Sequence, residues 1–342
     1  MTKDELQDKA VALVQDHKHI CLEWATGCGK SLGAIRMVDA LTTERVVLVC
    51  KESTHLNNWE AELDKHGYAQ YESILYASAH KLKGKIDVLI LDEVHALTWK
   101  RVVALQQFIL GGARVIALSA TILPEKRYLL EQLCGGVVKY AQVSLAQAIH
   151  LGLLPKPRIY VHTIELDIKQ RAKYMNIERK MNYFREQEMW APLKITGLKR
   201  KKLTSSFKTD KAIDIVDNFR HSNQRFVCFA ADINQANEIA RGVVICSQVT
   251  RKENARLIQM FNKEESDELF AVKMLRESVN LTKIANGLIV QLDSKALSFY
   301  QMLGRCLRHD TPQMHMIVVK GTMDEITFNE ITQDVAQYIE YL

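Results

Sequence analysis

The chain of 342 residues is 47% apolar and 25% charged, with 46 Lys+Arg against 40 Asp+Glu, a formal net charge of +6 and a pI near 8.8. These are ordinary proportions for a globular protein, and the length allows two domains, each with its own core. Seven scattered cysteines (Cys21, Cys28, Cys50, Cys134, Cys228, Cys246, Cys306) contain no C-x-x-C pair, which excludes a disulfide framework and argues against a zinc site. The amino terminus is polar and lacks a signal-peptide core, and no apolar run approaches the roughly 20 residues that cross a bilayer. A cytoplasmic protein with no membrane partner is expected, in the host cytoplasm if the chain is viral. The mild positive excess permits a polyanionic partner without requiring one.

Residues 5–17 read as a helix with Leu6, Ala10, Leu13 and Val14 on one face. The apolar run Ile20-Cys21-Leu22 follows, and then the loop Ala25-Thr26-Gly27-Cys28-Gly29-Lys30-Ser31. A strand, a glycine-rich turn and Lys-Ser form the layout of a phosphate-binding loop, although Ala25 stands where the first glycine is usual. Gly27 and Gly29 let backbone N–H groups curl round a polyphosphate, so residues Thr26 to Ser31 are candidate nucleotide ligands. Lys30 is expected to reach the β- and γ-phosphates and the Ser31 hydroxyl to ligate Mg²⁺. The following segment, Leu32 to Leu41, reads as a helix whose positive end faces the anion.

Further short apolar runs then alternate with helical patterns: Val46 to Val49, Val88 to Leu91 and Val115 to Leu118. Near-continuous apolar strands separated by helices indicate a parallel sheet covered on both faces. Asp92 and Glu93, in Leu91-Asp92-Glu93-Val94-His95, follow one strand at the end where such sheets hold ligands. The aspartate there suits Mg²⁺ and the glutamate suits the attacking water, although an acidic pair alone also reads as surface charge. Ser119-Ala120-Thr121 ends the next strand. A charged, mostly helical segment over about 160–215 precedes a second strand series: residues 225–230, 243–245, 269–272, 287–290 and 316–319. In Gln301-Met302-Leu303-Gly304-Arg305-Cys306-Leu307-Arg308, two arginines three apart share a helical face and suit the charge on a transferring phosphoryl group. The expected fold is α/β: two parallel-sheet domains in tandem, residues 1–160 and 216–342, joined by a helical connector, 161–215, with the P-loop in the first.

The order of these segments resembles the superfamily 2 helicase/translocase ATPases, in the DExH group, over nearly the whole chain, which implies that the two α/β domains are RecA-like. Ala25–Ser31 is similar to motif I, Asp92–His95 to motif II and Ser119–Thr121 to motif III, while residues 276–281 resemble motif V and Gln301–Arg308 motif VI. Gln7 sits where a Q-like element often precedes motif I. Asn58-Trp59-x-x-Glu62 and Gly321-Thr322-x-Asp324-Glu325 resemble segments of Swi/Snf-type DNA translocases. Ser144–Ile149 with Gly152–Pro155 resembles the connector of type III restriction motors and phage branch-migration helicases. Two departures are visible, Ser-Ala-Thr in motif III and Ser278 in motif V where glycine is common.

The resemblance implies ATP and Mg²⁺ as cofactors, bound between the lobes by Gln7 and residues Thr26–Ser31. It implies catalysis by Lys30, Asp92, Glu93, Gln301, Arg305 and Arg308, and coupling through His95, Ser119 and Thr121. It also implies phosphate contacts by Lys51, Ser53, Ser78 and Asn280. The basic run Lys199-Arg200-Lys201-Lys202 is a further candidate for gripping backbone and reads equally well as a solvated face. The partner is nucleic acid, with DNA favoured over RNA; the motor itself is expected to be monomeric. So compact a member points to a phage or mobile element, or to action with a protein partner, and the resemblance implies a role in DNA repair, recombination or replication. Two alternatives stay open on the residues: an RNA helicase, and a nucleotide-gated clamp with little motor activity.

Overall fold

A computed structural model describes residues 1–240, 244–272, 281, 284–292, 296–307 and 309–342; Arg251, Ala296, Leu297 and Arg305 are placed by their backbones alone. The chain divides into two compact units, Met1–Leu154 and Pro155–Leu342.

In the first unit α1 (Lys3–Asp16) leads into β1 (His19–Trp24), α2 (Lys30–Asp39), β2 (Val46–Cys50), α3 (Ser53–His66), β3 (Glu72–Leu75) and β4 (Val88–Leu91). Then follow α4 (Trp99–Leu110), β5 (Arg114–Ser119), α5 (Pro124–Cys134), β6 (Lys139–Val143) and α6 (Leu145–His150). The six strands are parallel in the order β3-β2-β4-β5-β1-β6. Covering both faces with helices buries every residue of β4 and all but Arg114 of β5, which is why the stretches 88–91 and 115–118 hold only Val, Leu, Ile and Ala. Each such side chain contributes on the order of 1.5–3 kcal/mol by leaving water. The register sets the functional ends level: Leu91 opposes Ala117, and Glu23 of β1 opposes Ser119 of β5. The loops after β1, β4 and β5 therefore leave one edge of the sheet together.

The second unit comprises β7 (Arg158–Ile164), α7 (Ile168–Glu186), α8 (Trp190–Ser206), α9 (Thr209–His221), β8 (Phe226–Phe229), α10 (Ile233–Ala240) and β9 (Val244–Ile245). It continues with α11 (Arg251–Asn262), β10 (Glu268–Ala271), β11 (Asn286–Ile289), α12 (Ala296–Cys306), β12 (Gln313–Val319), α13 (Met323–Ile331) and β13 (Ile339–Tyr341). Seven parallel strands run β13-β7-β12-β11-β8-β10-β9. The architecture is thus two tandem parallel-sheet α/β units of RecA-like type, as expected from the sequence.

Where the sequence suggests two lobes and a separate connector, the structure has two units only. The chain divides after Leu154, and the expected connector lies inside the second unit. Its first residues belong to β7, which pairs over seven positions with β12, and α9 packs into the core of the second sheet through Ala212, Ile215, Val216 and Phe219. Only α7 and α8 form a helical hairpin that adds little to that core. Its root is pinned by a buried ion pair: Lys208 Nζ lies 2.9 and 2.7 Å from the two carboxylate oxygens of Asp324. The same carboxylate accepts the Val319 amide at 2.9 Å and Gln291 Nε2 at 3.1 Å, and the Met323 amide donates to the Tyr174 hydroxyl of α7 at 2.8 Å.

Candidate active site

The loop after β1 is shaped by two glycines that no other residue replaces without strain. Gly27 has φ +93° and Gly29 has φ +83°, in the left-handed region. A Cβ on Gly29 would lie 2.7 Å from Gln7 Nε2, and one on Gly27 3.0 Å from Leu154 Cδ2. Gly29 caps α2, so the exposed amides of that ten-residue helix open onto the loop. Gln7, buried on α1, donates to the Gly29 carbonyl at 3.4 Å and accepts from Arg36 at 3.0 Å, while Arg36 pairs with Asp8 at 2.5 Å. The Ala25 amide donates to Val143 of β6 at 2.9 Å. The loop is therefore braced from α1, α2, β6 and the chain after α6 before any ligand enters. Lys30 Nζ donates to the Trp24 carbonyl at 2.9 Å, and Ser31 lies half-buried in the first turn of α2. Cys28 points inward, fully buried, and desolvation pushes its thiol up despite the opposing charge of Lys30.

Asp92 follows β4 and is held by three donors on one oxygen. Trp59 Nε1 donates to Oδ2 at 3.0 Å, His55 Nδ1 lies 3.2 Å from it, and the Cys50 thiol 4.0 Å. The Glu93 amide donates to Oδ1 at 3.0 Å, which leaves that oxygen a lone pair for a cation or its water. Burial opposes the charged form of His55, but its contact with Asp92, reinforced by Glu93 and Glu52, outweighs burial and raises its pKa. Glu93 sits at φ +52°, an uncommon conformation for a side-chain-bearing residue. Its carboxylate lies 3.1 Å from His95 Nδ1, in charge contact without hydrogen-bond angles, and Glu93 Oε2 and both His95 ring nitrogens have no hydrogen-bond partner among the described residues. Burial works against ionisation of Glu93, but His95, Lys30 and His55 together hold its carboxyl down at about 2. It is an ionised, half-buried acceptor whose Oε2 faces His95 without a hydrogen bond among the described residues.

Ser119, fully buried, donates to the Thr121 carbonyl at 2.8 Å and so closes the turn after β5. That turn is tied to β1 through Glu23, which accepts from the Ile122 amide at 2.9 Å and pairs with Arg127 at 3.0 Å. Ser53 is exposed at the start of α3, with Lys51 half-buried just before it, and Ser78 is half-buried in the 3₁₀ turn Tyr76–Lys81. In the second unit Gln301 is buried on α12, and Arg200 forms an ion pair with Glu178 at 2.8 Å inside the hairpin, whereas Lys199 is exposed. Asn280 and Arg308 lie outside the described residues, and Arg305 is placed by its backbone alone. Among the described residues no group of three His, Cys, Asp or Glu side chains is arranged to hold a metal ion, and no helix is long and apolar enough to cross a membrane.

The chemistry of these donors fits a nucleoside triphosphate with Mg²⁺. A positive helix end and a lysine suit the phosphates, a hydroxyl and a carboxylate lone pair suit a hydrated cation, and an ionised glutamate suits a water proton. Sequence reasoning named Lys30, Asp92 and Glu93 as candidates and did not name His55 or the contact of Trp59 with Asp92. The Asn58-Trp59 pattern was visible; that its indole turns inward onto a carboxylate 33 positions away was not.

Residues 208–310 match the model of the family described as the helicase conserved C-terminal domain. No curated protein matches the chain by sequence. The fold is shared with the Hef helicase domain of Pyrococcus furiosus, at 13% identity and a TM-score of 0.63 over 95% of this chain and 97% of that one. It is shared with S. cerevisiae Dbp5 bound to RNA and ADP BeF3, at 11% identity and a TM-score of 0.66 over 99% and 89%. It is also shared with the DUF1998 helicase MrfA bound to DNA, at 13% identity and 0.66, where 96% of this chain spans about half, 48%, of that one. At such identities the likeness establishes the fold, and the family match speaks for the second unit. The second unit thus carries the match to a helicase C-terminal domain, and the fold of two RecA-like units is the one these helicases share.

Proposed function

We propose that the chain is a nucleic-acid-dependent ATPase that couples ATP hydrolysis to movement on DNA, duplex or branched, in preference to RNA. The observation that carries the ATPase reading is the level edge of the first sheet, where a braced phosphate loop and an ionised, partly unsatisfied Glu93 leave the two strands that flank β5. Binding the phosphates exchanges the Lys30–Trp24 contact for one to a phosphate oxygen, and the loop amides at the start of α2 take the rest. Ser31 and Asp92 would hold Mg²⁺, which when bound neutralises charge on the phosphates. Glu93 accepts a hydrogen bond from the attacking water and orients it; its low pKa keeps it charged at neutral pH. Gln301, Arg305 and Arg308 are the second-unit residues proposed to act on the charge of the γ-phosphate.

The preference for DNA rests on the Swi/Snf-like segments, and both have internal work to do. Trp59 is buried against Asp92, Asp324 anchors Lys208, and the Thr322 hydroxyl accepts the Asp324 amide. They support the branch of the superfamily, not a contact with a base. Steady-state ATP hydrolysis measured side by side with duplex DNA, single-stranded DNA and RNA tests the preference. Duplex DNA is expected to stimulate most, and stimulation by RNA alone would reassign the chain as an RNA motor.

A further inference from the structure

The positive charge of this protein is concentrated in one place. Residues 168–206, the α7–α8 hairpin, hold 11 Lys+Arg and 3 Asp+Glu, a net +8, whereas the other 303 residues hold 35 and 37, a net −2. The hairpin is also poorly buried. On α7 only Tyr174 and Met181 are buried, and on α8 only Thr196, Thr204 and Ser205. The inner faces meet through small groups: the space beside Gly197 is taken by the Met181 methyl, and Glu178 pairs with Arg200. An arm that buries so little apolar surface is not kept for the core.

Its outer surface is organised. The exposed residues of α8 recur every four positions: Trp190, Lys194, Leu198 and Lys202 in one row, and Ala191, Ile195 and Lys199 beside it. Steps of four residues are about 6 Å along a helix, so cations and apolar side chains alternate along one ridge. At the turn between the helices two aromatics are open to solvent, Tyr183 at 55% and Trp190 at 67% exposure, with Arg185 between them in sequence. Burying a ridge of alternating Lys and apolar groups in lipid would desolvate the lysines, and no face of α8 is apolar enough to lie in a bilayer. A single nucleic-acid strand offers phosphates to the lysines and the flat faces of its bases to the aromatics.

We infer that the α7–α8 hairpin is an arm that binds a single nucleic-acid strand, with Trp190 and Tyr183 stacking on bases and Lys194, Lys199 and Lys202 on phosphates. The inference rests on the motor reading for its ligand class and adds a site outside the helicase motifs. The root is rigid, because the Lys208–Asp324 pair and the Tyr174 hydroxyl fix it to the strand end at Val319. A strand held by the arm is thereby mechanically joined to the second sheet.

The test is fluorescence anisotropy of the full chain with a labelled single strand, run as DNA and as RNA, beside an abasic strand of equal length. Trp190→Ala is expected to weaken binding about tenfold or more on the base-carrying strand and to leave the abasic strand unchanged, and Trp190→Phe is expected to restore most of the loss. The triple variant Lys194→Ala, Lys199→Ala, Lys202→Ala should lower the slope of log affinity against log salt by about 2 on both strands. Unchanged affinity and slope in both variants would overturn the inference, while stimulated ATP hydrolysis by the wild type would leave the motor reading intact. Displacement of the strand by polyglutamate at equal charge concentration would also overturn it, in favour of an acidic protein partner. If the wild-type enzyme shows no stimulated hydrolysis, the motor reading fails on its own, and the anisotropy still decides the arm.

Discussion

Replacing Lys208 by methionine isolates the energetics of a fully buried charge in the second unit. Lys208 is fully buried and its ammonium lies 2.9 and 2.7 Å from the Asp324 oxygens. Burial lowers its pKa, and Asp324 restrains the fall. Lys208→Met keeps the volume of the stem but leaves the Asp324 carboxylate, among the described residues, with the uncharged donors Gln291 and Val319. An uncompensated buried charge of this kind costs about 3–5 kcal/mol. At about 2–4 °C per kcal/mol for a unit of this size, the second unit's Tm should fall by on the order of 10 °C. Adding Asp324→Asn removes the charge and keeps an acceptor for the Val319 amide, so the double variant should regain about half of the loss. Scanning calorimetry suits the measurement, because a chain of two units need not unfold in one step. A cost below about 1 kcal/mol for Lys208→Met, or additive effects in the double variant, would refute the reasoning.

Gly29→Ala meets both a left-handed φ and Gln7, and should lower stability by about 1–2 kcal/mol from the backbone alone; Gln7→Ala in the same chain relieves the steric part and leaves the rest, as urea unfolding would read. Trp59→Phe keeps the ring but removes a donor to the Asp92 carboxylate, so a stability loss of about 1.5–3 kcal/mol and a reduced kcat are expected; unchanged values of both would show that Asp92 is positioned otherwise. His19, His162 and His315 are each lowered to about 4, mainly by burial, the last two joined by a 2.9 Å contact. Because the unfolded chain takes up these protons first, the stabilising effect of keeping the rings neutral is complete above pH 6.5 and is lost as pH falls towards 4. Tm should therefore drop between pH 7 and pH 5, and a flat profile across that window would contradict the assignment.

The stretches of this fold that were legible in the sequence are those buried on both faces. The runs at 46–49, 88–91 and 115–118 have no polar interruption, and each is a strand of the first sheet. The strands that escaped notice carry mixed patterns. β3, β6 and β13 lie at sheet edges with exposed Glu72, Lys139 and Glu340, and β7 carries Arg158, Tyr160 and His162 among its apolar residues. The expected connector drew together β7, the hairpin and α9 because all three are rich in charge; only contacts with β12 and the second core separate them. At the site, the phosphate loop and acidic pair were readable because their chemistry is local in sequence. The support for Asp92 was not, since His55, Trp59 and Cys50 reach it from residues 33 to 42 positions away. Charge concentration in 168–206 was open to a count, but the four-residue spacing of its exposed ridge emerges only once the buried face of α8 is known.

The central claim is that Glu93, ionised beside a braced phosphate loop, drives ATP hydrolysis when nucleic acid is bound. Glu93→Gln keeps the shape and removes the charge, so stimulated kcat should fall by about 100-fold or more while a fluorescent ATP analogue still binds with wild-type affinity. Hydrolysis by that variant at the wild-type rate, with or without duplex DNA, would contradict the account.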